Sequence, residues 1–125
     1  AFCTAGDSIS GETSNLMKSI SVVELKALLD QNQDLALIDV RNPAEVEVAV
    51  IAGSELIPLS TLESDEVIER IQAIAASQTV YVHCKLGGRS AKAVELLASH
   101  GIDAVNVEGG IDAWSEQIDP SVPRY

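Results

Sequence analysis

The sequence predicts an α/β fold in which a parallel β-sheet is flanked by helices on both faces. The short apolar run at residues 35–40 is typical of a strand that is covered on both faces, and residues 79–83, a β-branched and aromatic run, and residues 104–107 predict further strands. Segments with a helical spacing of apolar residues alternate with these runs, which is the order found in parallel sheets. The 125 residues, 46% of them hydrophobic, suffice for one core of ordinary size and are too few for two typical domains.

The N-terminal part of the chain divides into a linker and a capped helix. Residues 1–19 are rich in Ser, Thr, Gly and Asn, and we interpret them as a flexible linker or tail. Residues 20–125 then form the folded domain. Ser21 and Glu24 have the spacing of a capping box, in which the serine caps a helix and the glutamate reaches back to it. We expect this first helix to end near Asp30.

The remaining elements follow at short intervals. The strand at residues 35–40 is expected to stop at Asn42 and Pro43. Ligands of parallel sheets bind beyond the carboxyl ends of the strands, so residues that directly follow a strand are the first candidates for function. The further predicted elements are strands at 54–59, 79–83 and 104–107 and helices at 65–76, 90–100 and 111–117.

The charge of the chain bears on its possible partners. Eight basic and 19 acidic side chains give a net charge of -11, which repels nucleic acid and anionic lipid surfaces. We therefore expect neither nucleic acid nor a membrane as a direct partner. An anionic substrate would need a local positive site that works against this overall field.

The absence of certain sequence patterns bears on the cellular location of the protein and on its need for a cofactor. It contains no apolar run of roughly 18 residues and no signal-peptide pattern, so we expect a cytoplasmic protein. Cys3 and Cys84 are too few for a disulfide framework and would be reduced in the cytoplasm. No Cys/His cluster has zinc spacing and no Gly-rich loop fits ATP, so we expect neither a metal nor a cofactor.

The segment with the strongest chemical signal begins at Cys84, where a strand ends and a helix is about to begin. Unpaired N–H groups and the helix dipole at such a position stabilise a thiolate and lower the pKa of the thiol. Gly87 and Gly88 allow successive N–H groups to point into one concave nest. Lys85 and Arg89 supply local positive charge. We therefore expect an exposed and reactive thiol at Cys84.

This arrangement predicts covalent sulfur chemistry. A thiolate at Cys84 could attack the outer sulfur of an anionic donor and hold that sulfur as a persulfide before an acceptor takes it. Arg89 would bind an oxyanion donor through two hydrogen bonds, and Lys85 would act as a point charge. The predicted substrate-binding loop comprises Lys85, Leu86, Gly87, Gly88, Arg89 and Ser90.

Three separated motifs resemble the rhodanese family of sulfurtransferases. Residues 38–41 followed by Glu45 look like the first family signature, and residues 109–114 look like the closing one. After Glu45 the family usually has an aromatic residue and then Gly-His-Ile, whereas this chain has Val46 and then Ala-Val-Ile at 49–51. The active-site signature is matched by Cys84, Gly87, Arg89 and Ser90. The resemblance implies a rhodanese-like fold and sulfurtransferase activity.

Within that family, the chain is similar to the domain that follows an adenylyltransferase in MoeB-like sulfurtransferases of molybdopterin and thiolation pathways. Residues 110–125 resemble the C-terminus of that subgroup, and residues 1–3 resemble the end of its adenylyltransferase part. We therefore expect a fragment of a larger enzyme. The resemblance implies thiosulfate or a desulfurase persulfide as sulfur donor. It also implies two partners, an adenylyltransferase domain and a small ubiquitin-like sulfur-carrier protein whose activated C-terminus accepts the sulfur.

Several other polar or aromatic residues are expected to support the fold. Asp39, Arg41 and Glu45 are expected to have structural roles, and the strand-end pair of Asp39 and Arg41 can tie the neighbouring active-site loop through hydrogen bonds and an ion pair. His83 is more simply a buried support residue than an acid or base. Trp114 is more simply a core anchor than a platform for a ligand.

Three alternatives remain open from the sequence. A cysteine-dependent phosphatase would place five residues between its Cys and Arg, whereas four separate Cys84 from Arg89. A non-catalytic interaction module would share the fold, although such modules commonly lose the nucleophile. A redox-sensing thiol is the third, with Cys3 as the resolving partner.

Overall fold

The structure is a computed structural model that describes residues 18–31 and 34–125. Five parallel strands form one sheet in the order β1-β5-β4-β2-β3. The strands are β1 (Ser19–Ile20), β2 (Leu35–Asp39), β3 (Glu55–Leu56), β4 (Thr79–His83) and β5 (Ala104–Val107). The helices are α1 (Val22–Asp30), α2 (Pro43–Val48), α3 (Asp65–Ala75), α4 (Gly88–Ser99) and α5 (Gly110–Gln117), with a short 3₁₀ helix at Leu59–Glu63.

The capping box predicted for the first helix is confirmed. The Ser21 hydroxyl accepts a hydrogen bond of 3.1 Å from the backbone N–H of Glu24, and the Glu24 carboxylate accepts one of 3.0 Å from the backbone N–H of Ser21. Two donors that a helix start leaves unpaired are thereby satisfied. The helix begins at Val22 and ends at Asp30, as the sequence predicts.

Helices cover both faces of the sheet, which confirms the predicted fold class. Alternate strand residues point to opposite faces, and so Leu37 and Ile38 belong to different core clusters. One cluster joins the sheet to α3, α4 and the 3₁₀ helix, and the other joins it to α1 and α5. Trp114 of α5 is 7% exposed within the second cluster, so its predicted role as a core anchor is confirmed.

Helix α2 and the segment around β3 differ from the sequence-based expectations. Asn42 and Pro43 end the strand, but they also begin helix α2, because Asn42 occupies the N-cap position and Pro43 the first turn. The strand predicted at 54–59 shrinks to Glu55–Leu56, and a 3₁₀ helix begins at Leu59.

The predicted linker extends one residue too far into the domain. Ser19 pairs with Asn106 in the sheet, so strand β1 begins inside the segment interpreted as a linker. Residues 1–17, including Cys3 and its suggested redox role, lie outside the described residues. No helix in the described part of the chain is both long and apolar enough to cross a membrane.

The parallel sheet brings the chemically interesting residues to one edge. Asp39 lies opposite His83 in the register of β2 and β4, so the segments that begin at Val40 and at Cys84 leave the sheet side by side. Strand β5 ends next to β4, at Val107. The three segments that carry the family signatures therefore meet at the carboxyl edge of the sheet.

Candidate active site

The loop after β4 forms a cradle around the Cys84 sulfur. Gly87 has a φ of 112°, a conformation that favours glycine, and its N–H donates a 3.0 Å hydrogen bond to Cys84 Sγ. Burial alone would raise the pKa of the Cys84 thiol. A side-chain hydrogen bond with Ser90 and hydrogen bonds from the N–H groups of Ser90, Gly87 and Leu86 outweigh burial and lower that pKa below its ordinary value.

The N-terminus of α5 supports this cradle from behind. The N–H of Ile111 donates to the Cys84 carbonyl at 2.9 Å, and the N–H of Asp112 donates to the Lys85 carbonyl at 3.1 Å. Gly110 permits this approach, because a Cβ atom there would lie 2.3 Å from the Cys84 carbonyl oxygen. The closing signature at 109–114 is therefore part of the wall of the active-site loop.

Cys84 itself is buried, so the prediction of an exposed thiol was wrong. The residue is 1% exposed and belongs to the first core cluster. The same wrapping of the backbone that turns N–H groups toward the sulfur also covers it. A donor or acceptor reaches this sulfur only if atoms around it move.

Ser90 and Asn106 form a buried polar pair beneath the sulfur. Ser90 Oγ lies 3.4 Å from Cys84 Sγ and 2.5 Å from Asn106 Oδ1. Ser90 is 0% exposed and Asn106 is 7% exposed. Our sequence reasoning missed Asn106, although a single amide inside the apolar run of β5 was a usable signal, because a buried polar group needs a partner.

We expect Ser90→Ala to raise the pKa of Cys84 toward its ordinary value, because the variant removes the hydroxyl that lies nearest the sulfur. The ultraviolet absorbance of the thiolate, followed against pH in a Cys3→Ala background, measures this pKa. Ser99→Ala is the matched control, since the Ser99 hydroxyl bonds the Leu96 carbonyl in the same helix. An unchanged titration in Ser90→Ala would contradict the role of the hydroxyl.

Arg89 and Glu45 form an ion pair that joins α4 to α2. The two guanidinium nitrogens of Arg89 donate to the two carboxylate oxygens of Glu45 at 2.6 and 2.9 Å. Arg89 lowers the pKa of Glu45 to about 2, and Glu45 raises that of Arg89. Arg89 was predicted to bind an anionic sulfur donor through its guanidinium group. In the structure, two nitrogens of that group instead donate hydrogen bonds to Glu45.

The Glu45 pair makes stability depend on pH in a defined window. The folded pKa of about 2 lies below the ordinary value of 4.5, so the contribution of Glu45 is complete above pH 4.5 and is lost as the pH falls toward 2. Free energies of unfolding for the wild type and Glu45→Gln should therefore converge across that window. Glu47→Gln, an exposed change on the same helix, is the control and should lack this convergence. A constant difference between wild type and Glu45→Gln would contradict the assignment.

Asp39 and Arg41 form a second, fully buried pair. Arg41 donates to Asp39 at 2.9 and 2.6 Å and to the Ala49 carbonyl at 2.7 Å. The pair was expected to tie the active-site loop, but these contacts hold the segment after β2 and the end of α2. Of the three predicted support residues, Glu45 is the one whose side chain bonds a residue of the Cys84 loop.

His83 lies in the core next to the nucleophile. It is 0% exposed, and its Nε2 atom has no hydrogen-bond partner among the described residues and lies 3.9 Å from the Asp39 carboxylate. Burial lowers the pKa of His83, which favours the neutral ring. The structure thus places His83 as a support residue of the core, as the sequence predicts.

Tyr125 is a site residue that sequence reasoning missed. Its hydroxyl accepts a 2.7 Å hydrogen bond from Arg41 and donates one of 2.7 Å to Glu45. The Lys85 ammonium nitrogen lies 4.7 Å from the centroid of the Tyr125 ring. Leu86, between the cradle and solvent, is 64% exposed, and Gly88 begins α4 with open space beside it among the described residues.

Comparison with known proteins agrees with this geometry. A family model for the rhodanese-like domain matches residues 21–117, which include all three signatures and the Cys84 cradle. The chain belongs to the rhodanese family. The parallel sheet and the cysteine loop are therefore parts of one rhodanese-like domain.

Curated relatives of this rhodanese domain include two longer proteins. The chain is 39% identical over 108 residues to the probable adenylyltransferase/sulfurtransferase MoeZ of Mycobacterium tuberculosis, covering 86% of this chain and 27% of MoeZ. Its identity to the adenylyltransferase and sulfurtransferase MOCS3 of Bos taurus is 34%, with 85% and 27% covered. The chain thus spans about a quarter of these relatives.

Two solved structures share the fold. A rhodanese-like domain protein of Staphylococcus aureus matches with a TM-score of 0.69 at 37% identity, over 87% of this chain and 99% of that one. The human single-domain sulfurtransferase TSTD1 matches with a TM-score of 0.65 at 27% identity, over 79% and 96%. Together the relatives support sulfur transfer as the general activity of this rhodanese domain.

Proposed function

We propose that this domain transfers sulfur by carrying it as a persulfide on Cys84. The observation that carries the proposal is the cradle, in which backbone N–H groups and the Ser90 hydroxyl surround Cys84 Sγ. Such donors stabilise the thiolate that attacks. They can also stabilise the terminal anion of the persulfide that forms.

The transfer needs two displacements at sulfur. With thiosulfate as donor, the Cys84 thiolate attacks the outer sulfur, a new S–S bond forms, the S–S bond of thiosulfate breaks, and sulfite leaves. A nucleophilic acceptor such as cyanide then attacks the outer sulfur of the persulfide, and the Cys84 thiolate leaves. The second step restores the starting enzyme without a net change in Cys84.

We propose a protein as the natural acceptor. MoeZ and MOCS3 combine adenylyltransferase and sulfurtransferase in their names, and this chain is similar to a part of each. The acceptor that fits this pairing is the adenylated C-terminus of a small ubiquitin-like sulfur carrier in a molybdopterin or thiolation pathway. That carbonyl carbon is an electrophile, so the outer sulfur of the persulfide attacks it, a C–S bond forms and AMP leaves. A thiol reductant then breaks the S–S bond of the acyl disulfide, which releases the thiocarboxylate and the Cys84 thiolate. The donor is thiosulfate or the persulfide of a desulfurase, and a reducing cytoplasm would keep Cys84 available.

Intact mass spectrometry tests the persulfide directly. The purified chain is incubated with thiosulfate and then with cyanide, and Cys3→Ala and Cys84→Ala are treated in parallel. We expect a gain of one sulfur atom that survives in Cys3→Ala, is absent in Cys84→Ala and disappears with cyanide. A gain that persists in Cys84→Ala would contradict the proposal, because the sulfur would then reside elsewhere.

A non-catalytic interaction module is the second candidate. Two observations favour it, namely the 1% exposure of Cys84 and the engagement of Arg89 by Glu45. A module of this kind predicts no gain of sulfur from either thiosulfate or a desulfurase persulfide. The same experiment with both donors therefore separates the two candidates.

A further inference from the structure

We propose that the ring of Tyr125 is a positioning element of the active site, which holds the Lys85 ammonium so that Cys84 reacts preferentially with anionic reagents. The proposal rests on the proposed function to the extent that Cys84 is the reactive thiol. It assigns a role to a residue that lies 41 positions after the nucleophile in the sequence.

The first step of the argument concerns the positive charges at this edge of the sheet. Arg41 is paired with Asp39, Arg89 with Glu45, and Arg124 with Asp112. Lys85 forms no ion pair within 4.0 Å in the part of the chain that the structure describes. The guanidinium groups are paired with carboxylates at these distances, whereas Lys85 is a cation of the Cys84 loop without such a pair, and the Asp112 carboxylate feels its charge from further away.

The second step concerns what holds that charge in place. A lysine side chain has four rotatable carbon–carbon bonds and loses much freedom when its end is fixed. The Tyr125 ring lies 4.7 Å from the Lys85 nitrogen, a distance at which a cation is attracted to an aromatic face. The ring thus limits where the Lys85 ammonium can go.

The third step is that Tyr125 itself is fixed from several directions. Its hydroxyl bonds Arg41 and Glu45, as described above. The C-terminal segment (residues 118–125) that carries it is anchored to α5, since Ser115 Oγ donates to the Val122 carbonyl at 2.6 Å and Arg124 bonds Asp112 at 3.0 Å. A ring held in this way can act as a fixed surface for a mobile side chain.

The test compares two alkylating reagents that differ in charge. In both iodoacetate and iodoacetamide, the thiolate attacks the methylene carbon, a C–S bond forms, the C–I bond breaks and iodide leaves. Thiolate fraction and access to the buried sulfur affect both rates alike. The ratio of the two rate constants at Cys84, measured in the full chain with Cys3→Ala, therefore reports the local positive charge.

Variants of Tyr125 separate the ring from its hydroxyl. Tyr125→Leu removes the ring, and we expect the iodoacetate-to-iodoacetamide ratio to fall roughly two- to fivefold, the range that a cation–π contact of this kind provides. Tyr125→Phe keeps the ring and the anchors of the C-terminal segment but loses the hydroxyl bonds to Arg41 and Glu45, so its ratio should fall less than that of Tyr125→Leu. Tyr81→Phe, a change at a tyrosine of the second core cluster, is the matched control.

A double-mutant cycle with Lys85→Gln shows whether Tyr125 acts through the lysine. We expect Tyr125→Leu to leave the ratio unchanged once Lys85 is neutral. An equal fall in both backgrounds, an equal fall in Tyr125→Phe, or no fall in Tyr125→Leu would each overturn the proposal. A thiol inert to both reagents would overturn it as well, because there would be no selectivity for Tyr125 to set.

The outcome is independent of sulfur transfer. Alkylation needs a reactive thiol but no persulfide. Charge selectivity without any gain of sulfur would therefore contradict the proposed function and support the role of Tyr125. If the persulfide forms normally and the iodoacetate-to-iodoacetamide ratio does not depend on Tyr125, the proposed function would stand and the role of Tyr125 would be contradicted.

Discussion

A chain that carries Cys84→Ala is expected to lose sulfur transfer completely while it stays folded. The variant removes the only atom that can hold the transferred sulfur in the proposed reaction, and no other group of the cradle replaces it. Because Cys84 is 1% exposed, the change also removes a packed atom from the core, and we expect a loss of about 1 kcal/mol of unfolding free energy.

Cys84→Ser separates the two effects. The hydroxyl occupies nearly the same space and can accept the Gly87 N–H bond that the sulfur accepts now. We expect no sulfur transfer in this variant either. Assays of thiosulfate consumption and denaturant unfolding curves for both variants give the comparison. Residual transfer in either variant would show that the sulfur travels by another route.

Gly110→Ala is expected to cause the largest loss of stability among the glycine changes. A Cβ at this position would lie 2.3 Å from the Cys84 carbonyl oxygen and 2.5 Å from that of Lys85, and φ is +56°. Backbone strain accounts for roughly 1–2 kcal/mol, and the clash with two carbonyls adds to it. We expect a total of about 3 kcal/mol or more, measured from urea unfolding curves.

Gly53→Ala is the matched control for this prediction. Gly53 also has a positive φ, +88°, but a Cβ there meets nothing within 4 Å in the described part of the chain. It should therefore show the backbone strain alone. Equal losses in the two variants would mean that the contact between α5 and the Cys84 loop relaxes at little cost.

Much of the architecture is predictable because it depends on local patterns. The capping box at Ser21 acts within one turn of helix, and the apolar strand runs are continuous enough to indicate burial on both faces. Helix α2 escaped prediction because Asn42 and Pro43 both end a strand and begin a helix. The two-residue strand β1 has no period from which it could be recognised, and β3 was predicted but with too great a length.

The site was predictable to the level of its loop but not of its contacts. The order of strand, cysteine, glycines and helix indicates a cradle for the sulfur. This order does not show that Glu45 would form an ion pair with Arg89, because that pair depends on where α2 lies. Tyr125 reaches the site only because the C-terminal segment folds back over α5, and no spacing in the sequence encodes that return.

The burial of Cys84 has a consequence for how the activity would be measured. A sulfur covered to this extent reacts only in the fraction of molecules whose loop has transiently opened, so the reaction rate contains an equilibrium constant for local unfolding. Thiol labelling of the native protein, compared with labelling of an unstructured peptide, would yield that constant as a free energy. Hydrogen exchange at the Gly87 amide, whose proton bonds the sulfur, should report the same opening from the backbone side.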